Sequence, residues 1–400
     1  MIAENSRPTA RPNWRQIALF LGLVFGLTYS LDLALYLTMG YGANSGITIA
    51  LQLQMLIPAT VAIVLQLFFF KNSSIYHTRE KPRWFFYVYL GYVLFQLVLA
   101  VSLLFVSNQM YQMAASALIQ VLLLGMLAFI IILRLVSGKE AFQRAGLQGG
   151  KVKYWLGFGL LIVLIYGVAT GLDVLFGLGQ AVNVKEVLSQ AAGGQAAGLE
   201  MIPDFALLLL VGAQAVILGP ILGLPLAFGE EYGWRGYLQG ELVKMGKVKG
   251  ILLLGVIWGL WHAPVVAMGH QYPGRPLEGI IMMTLYTIAL AFIFGYATLK
   301  SGSVWLAAYL HALNNQLVIF LMAMVYRPSD TFLSFGVGVY GLVVWAVVIA
   351  AILVLGRKEW TSPARTTPEI EIPKEELAAP PQSPAPSTDG AEEAASTDLL

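Results

Sequence analysis

Residues Gly229–Gln239 read GEEYGWRGYLQ. Two carboxylates stand side by side, with an arginine four positions after the second, in a chain that is apolar from Phe205 up to them and again from about Val248. Charge is costly in such a setting, so the depth of this stretch decides the fold. In one reading a membrane span runs to Phe228 and Glu230 lies in water just beyond it. In the other, Gly219-Pro220 and Pro225 break the apolar run, and a new helix runs from near Leu224 to about Val243. Glu230 then lies at membrane depth. A proline break is tolerated there when neighbours satisfy the freed backbone groups.

The surrounding composition is that of a membrane protein. Of 400 residues, 58% are hydrophobic and 12% charged, against about 25% charged in a soluble domain. Apolar runs long enough to cross a ~30 Å hydrocarbon core fall near 17–38, 47–70, 84–106, 113–136, 154–178, 205–228, 248–268, 279–299, 303–325 and 331–355. The first is too long for a signal-peptide core and lacks a small-x-small cleavage site, so it reads as a span. With the N-terminus in the cytoplasm, 21 of the 24 Lys and Arg fall inside, and only Lys185, Arg275 and Arg327 fall outside. The expectation is an all-α polytopic protein of about ten transmembrane helices in the plasma membrane, with both termini cytoplasmic.

The same reading divides the chain into an N-terminal transmembrane region (1–204, about five spans), a core (205–326), a last helix (327–356) and a disordered acidic Pro/Ala-rich tail (357–400). Residues 179–203 read as an outside loop with room for a short interfacial helix. No internal repeat is evident. A net charge of +2 gives no reason to expect a nucleic-acid partner. The absence of cysteine excludes disulfides, thiolate metal sites and a cysteine nucleophile.

Spacing favours the deeper placement. Gly246 lies 16 residues after Glu230 and 16 before His262. A helical hairpin turning there sets the two at one depth, each the other's expected partner. Glu231 and Arg235 stand at i,i+4 with the acid first, the favourable order, while Glu230 is about 100° round the helix. Arg235 can then neutralise Glu231 and leave Glu230 to take a proton from water. A plain salt-bridge cluster at a helix end is the competing explanation.

Two of the four histidines, His262 and His311, fall within spans, whereas His77 and His270 fall in loops and are expected to be solvated. Trp258 lies one turn before His262, and Asn315 one turn after His311. Asp32 and Asp173 read as interfacial or helix-pairing residues. A carboxylate with imidazole can activate water, and His311 with Asn315 can donate to an oxyanion, a constellation suited to peptide hydrolysis without a covalent intermediate. A zinc site made of Glu230, His262 and His311 is an alternative, although no HExxH is present. A non-enzymatic transporter or immunity protein is another.

Three motifs resemble those of the CPBP family of intramembrane endopeptidases (the Abi family), which includes type II CaaX prenyl proteases and bacteriocin-processing enzymes. EEYGWR is similar to its EExxxR motif, WGLWH to its second motif and HALNN to its HxxxN, all in order within about 228–316. Trp258 stands where the family more often has Phe. The resemblance implies a glutamic-type endopeptidase without a cofactor. Glu230 and His262 would activate water, Glu231 and Arg235 would support them, and His311 and Asn315 would form the oxyanion site. The family has also been read as zinc metalloproteases. The implied partners are the lipid bilayer and a membrane-associated or lipidated peptide or protein. CaaX-type processing, peptide maturation and immunity all stay open.

Overall fold

The computed structural model describes residues 11–363, except 41–44, 78–79, 104, 107 and 194–197. The acidic tail after 363 and the first arginine, Arg7, therefore lie outside the described residues. The helices are α1 (Trp14–Met39), α2 (Ser45–Val64), α3 (Ser74–His77), α4 (Arg83–Ser102), α5 (Gln109–Arg144), α6 (Val152–Leu175), α7 (Val184–Ala191), α8 (Asp204–Ala213), α9 (Gly219–Leu222), α10 (Leu224–Glu231), α11 (Gln239–Leu242), α12 (Lys247–Trp261), α13 (Ala263–Ala267), α14 (Pro276–Ser301), α15 (Val304–Phe320), α16 (Val339–Leu355) and α17 (Arg357–Thr361).

The protein is an all-α, multi-pass integral membrane protein. Eight helices among the described residues are long and apolar enough to cross a bilayer: 14–38, 49–69, 83–102, 109–144, 152–175, 204–222, 276–301 and 304–325. The other two expected spans are shorter. The run at 331–355 is helical only over α16, because its first part forms a loop, and the run at 248–268 is cut after Trp261. Large apolar side chains such as Leu19, Leu23 and Leu27 on α1 point outward. Such a surface would aggregate in water but suits lipid.

The loops grouped on one side by the charge pattern do meet one another. The Asn13 backbone N–H donates to Glu241, and Gln16 donates to Asn72. Arg144 pairs with Glu80, and Gln148 donates to the Gly302 carbonyl. Lys247 and Lys300 both pair with Glu359. At the other end Arg275 pairs with Asp330. There two three-residue strands, β1 (Gly179–Ala181) and β2 (Tyr326–Pro328), pair antiparallel, an element not foreseen from the sequence. The 179–203 segment does carry its short helix, α7.

Three expectations need correction. The chain after 356 is not tail from its first residue, because α17 docks. Trp360 stacks on Tyr296 and donates to the Ile352 carbonyl, and Lys247 donates to Glu359 and Ser362. His270 is largely enclosed rather than solvated, and burial pushes its imidazole below the ordinary range. Asp32 and Asp173 are buried rather than interfacial, which leaves the helix-pairing half of their reading. Asp173 accepts from the Phe335 backbone N–H at 2.8 Å and so holds down the loop before α16, while Gln54 on α2 approaches Asp32 at 3.5 Å.

Two glycine pairs set the spacing of the central helices. On the segment carrying the glutamates, a Cβ at Gly229 would lie 2.6 Å from the Met55 carbonyl oxygen, and one at Gly233 would lie 2.5 Å from Pro58 Cβ and 2.6 Å from its carbonyl carbon. On α12, a Cβ at Gly255 or Gly259 would lie 2.6 Å from Ile288 Cα or 2.5 Å from Thr284 Cα. Both are small-xxx-small contacts of the kind that bring membrane helices to backbone distance. The first shows that α2, from the N-terminal region, is part of the wall behind the glutamates.

Candidate active site

The apolar run from Phe205 is broken, as the second reading of the opening stretch has it. It bends through a π-helical turn at Gln214–Leu218, ends as α9 at Leu222, and restarts at Leu224 with Pro225 in the first turn. Proline suits that position because its missing N–H has no helical partner there. The new segment continues through α10, a second π-helical turn at Tyr232–Leu238, and α11. Single π turns inside helices concentrate at functional sites, and this one spans Arg235. Gly246, at φ 112°, makes the hairpin turn, and α12 runs back beside the first arm.

The charged residues of the motif are enclosed: Glu230 is 2% exposed, Glu231 0% and Arg235 3%. Burying them requires pairing, and each has a partner. Arg235 Nη1 donates to Glu231 at 2.9 Å, as the i,i+4 spacing predicts. Its guanidinium also lies over the rings of Trp258, at 4.3 Å, and Phe294, at 5.3 Å, where aromatic faces replace water. Glu231 accepts a second bond at 2.8 Å from Nδ1 of His311, across the helix interface. Glu230 is held differently. The Trp258 indole N–H donates to its Oε2 at 2.8 Å, and its Oε1 faces Nε2 of His311 at 3.9 Å. That gap is too long for a direct hydrogen bond. Two carboxylates against one guanidinium leave one negative charge uncompensated, and His311 stands between them.

His262 takes its position from a helix break. Pro264 cannot continue the α12 hydrogen-bond ladder. The His262 backbone N–H bonds to Gly259, three residues back, and the His262 side chain takes the carbonyl four residues back: Nδ1 donates to Trp258 O at 2.8 Å. A carbonyl accepts only from N–H, so Nδ1 carries the proton and Nε2 keeps its lone pair. Helix α1 clamps the break, with the Tyr29 hydroxyl donating to the Leu260 carbonyl and the Trp261 indole donating to Thr28.

The expected pairing of Glu230 with His262 therefore needs revision. The imidazole nearest Glu230 is that of His311, and His262 joins it through Trp258, which donates to Glu230 from its ring and accepts from His262 at its backbone. Asn315 lies on α15 in helical phase with His311 and accepts from the Asn314 side chain at 3.3 Å. Sequence reasoning passed over Asn314, Tyr166 and Tyr286, which bond to one another in the core. A polar residue repeated in an apolar helix, HALNN, was the available signal.

The indole bond gives a direct prediction. Trp258→Phe keeps a ring over Arg235 but removes the donor to Glu230. A hydrogen bond to a charged group is worth about 1.5–3 kcal/mol, so any activity that depends on Glu230 should fall by about tenfold or more. Unchanged turnover would show that the bond does not organise Glu230.

The profile described as "Type II CAAX prenyl endopeptidase Rce1-like" matches residues 205–317, a stretch that contains all six motif residues. This region of the chain is similar to the Rce1-like family. The chain is also similar to a protein named CAAX prenyl protease 2 from Methanococcus maripaludis, at 31% identity over 84 residues. That alignment covers 21% of this chain and 26% of the relative, so the likeness spans about a quarter of the relative's length. The profile match leaves α1 to α7 of this chain outside it. The Rce1-like region is thus the glutamate hairpin with α14 and α15, the elements that carry the site.

Proposed function

We propose that the protein is a glutamic-type intramembrane endopeptidase that cleaves a membrane-associated substrate, and that the bond lies near a prenylated C-terminus. The observation that carries the reading is the enclosed Glu230. One of its oxygens is fixed by an indole, the other faces an imidazole across 3.9 Å, and the hairpin sets it among spanning helices. That gap is too long for a direct bond and leaves Oε1 able to accept from a water.

In the proposed cycle the water is held at Oε1 of Glu230 with the lone pair of His262 Nε2 on its other side. It attacks the scissile carbonyl carbon as Glu230 takes its proton. His311, carrying a proton on each ring nitrogen between the two carboxylates, donates from Nε2, and the Asn315 amide donates beside it, to the oxygen on which charge develops. Collapse breaks the C–N bond, and Glu230 returns the proton to the leaving amine. Glu231 holds His311 by Nδ1 and is itself held by Arg235, so these two residues orient the imidazole without touching the reacting atoms.

This cycle uses no metal. A zinc ion held by Glu230, His262 and His311 is the alternative, and the response to a chelator separates the two. The prenyl preference rests on the name of the curated relative and on the family description.

The test is cleavage of internally quenched peptides by purified protein in proteoliposomes, with and without a farnesyl group on the peptide. Cleavage of the farnesylated peptide should persist with a chelator present, and His262→Ala should lower it by about 100-fold or more. Loss of activity in chelator, restored by zinc, would sink the metal-free cycle. Equal cleavage of both peptides would sink the prenyl preference.

A further inference from the structure

The reaction proposed above asks Asn315 to present its NH2 group to the reacting oxygen. An asparagine amide has two ends of nearly equal shape, and the wrong end would aim a carbonyl oxygen at a developing negative charge. A device next to Asn315 selects the end.

Tyr166 Oη on α6, Tyr286 Oη on α14 and Asn314 Oδ1 on α15 form a closed triangle. The two hydroxyls lie 2.7 Å apart, and they lie 2.8 Å and 2.9 Å from the amide oxygen. All three residues are buried. Two hydroxyl protons serve three edges. Both hydroxyls can donate to Asn314, or one can donate to the other and the second to Asn314. In every such arrangement Asn314 Oδ1 accepts at least one bond. The reverse orientation would have Nδ2 donate to the hydroxyls and leave one hydroxyl proton with no acceptor in the triangle, so the amide is held with nitrogen on the far side, where Nδ2 donates to Asn315 Oδ1 at 3.3 Å. That bond occupies the carbonyl end of Asn315 and leaves its own Nδ2 to face elsewhere. Asn315 stands four residues after His311, on the same face of α15.

We propose that Tyr166 and Tyr286 are positioning residues that act through Asn314 to hold the Asn315 amide with its N–H groups toward the scissile carbonyl. The inference rests on the oxyanion role given to Asn315 above. Tyr166 lies outside the Rce1-like region, so this residue ties the N-terminal helices to the chemistry. Either hydroxyl alone satisfies Asn314, so the two are redundant, and removing both releases the amide.

The experiment is a mutant cycle read by the farnesylated quenched peptide in proteoliposomes, with thermal unfolding measured alongside. Tyr166→Phe and Tyr286→Phe alone should each lower kcat by less than about threefold, since the remaining hydroxyl still holds the amide. The double variant should lower kcat by about 10- to 100-fold with KM unchanged, a fraction of the loss expected for a missing oxyanion donor. Asn315→Ala should lose about 100-fold or more, and adding both phenylalanines to it should cost nothing further in kcat, because sites acting through one group are non-additive. A merely structural role would lower kcat again in the Asn315→Ala background, in step with unfolding, and would overturn the proposal. So would wild-type kcat in the double variant while Asn315→Ala is impaired. If Asn315→Ala itself is fully active, the oxyanion reading fails, and the positioning role fails with it.

Discussion

Glu230→Gln yields a folded protein in which peptide cleavage falls by about 100- to 10,000-fold, the range that a general base supplies. Glutamine keeps the shape, and its amide oxygen still accepts from the Trp258 indole, so the bond that fixes Glu230 at 2.8 Å survives. What is lost is the ability to take a proton from water. The neighbouring change should behave in the opposite way. Glu231→Gln removes the charge that Arg235 pairs with at 2.9 Å, in a setting where both side chains are fully enclosed. Breaking a buried pair from one side costs about 3–5 kcal/mol, so Glu231→Gln should lose stability first and activity as a consequence. The pair of variants is measured by kcat and by thermal unfolding in the same detergent. A Glu230→Gln protein that cleaves at the wild-type rate would end the water-activation reading, and equal destabilisation by both changes would end the division of labour between the two glutamates.

Gly233→Val should abolish folding of the core, and Gly259→Val should do the same. Overpacking a core costs about 1–3 kcal/mol when side chains can move aside. At Gly233 the obstruction is Pro58, including its carbonyl carbon at 2.6 Å, and at Gly259 it is Thr284 Cα at 2.5 Å. Backbone cannot step aside without moving a helix, so the loss should exceed that range and appear as failure to recover monodisperse protein. Gly240 supplies the control. It is an exposed helical glycine with nothing within 4 Å of an added Cβ, and Gly240→Ala should be neutral or better, since alanine gains about 1 kcal/mol over glycine in a helix. Recovery of Gly233→Val with wild-type unfolding behaviour would show that α2 does not fix the position of the glutamates.

Much of this site can be read from spacing along one chain. The i,i+4 order of Glu231 and Arg235 announces their ion pair, and the equal distances from Gly246 announce a hairpin that brings the Glu230 arm beside α12. The Gly-Pro break is visible as one of two ways to reconcile three charges with the apolar run, and the spacing to His262 favours it. What spacing misses is the partner across an interface. Nothing within α15 says that His311 Nδ1 reaches Glu231, 80 positions earlier. Nothing local says that the Trp258 ring serves Glu230 while its carbonyl serves His262. The Tyr166, Tyr286 and Asn314 triangle joins three helices and leaves no periodic trace in any of them. The glycine pairs did have a legible spacing, but their partners, Pro58 and Thr284, follow from the packing alone.

The hairpin turn below the site also has a bearing on when the site becomes whole. Asn13, at the head of α1, bonds to Glu241 on one flank of the turn, and Glu359 on α17 grips Lys247 on the other. The second of these bonds joins residues 112 positions apart. A ribosome delivers Glu230, His262, His311 and Asn315 well before it delivers Glu359. During synthesis the site residues are therefore all present while the turn that sets their depth is still fastened on one side only. Helix α17 acts as a keystone, fastening the turn after the site residues have been made.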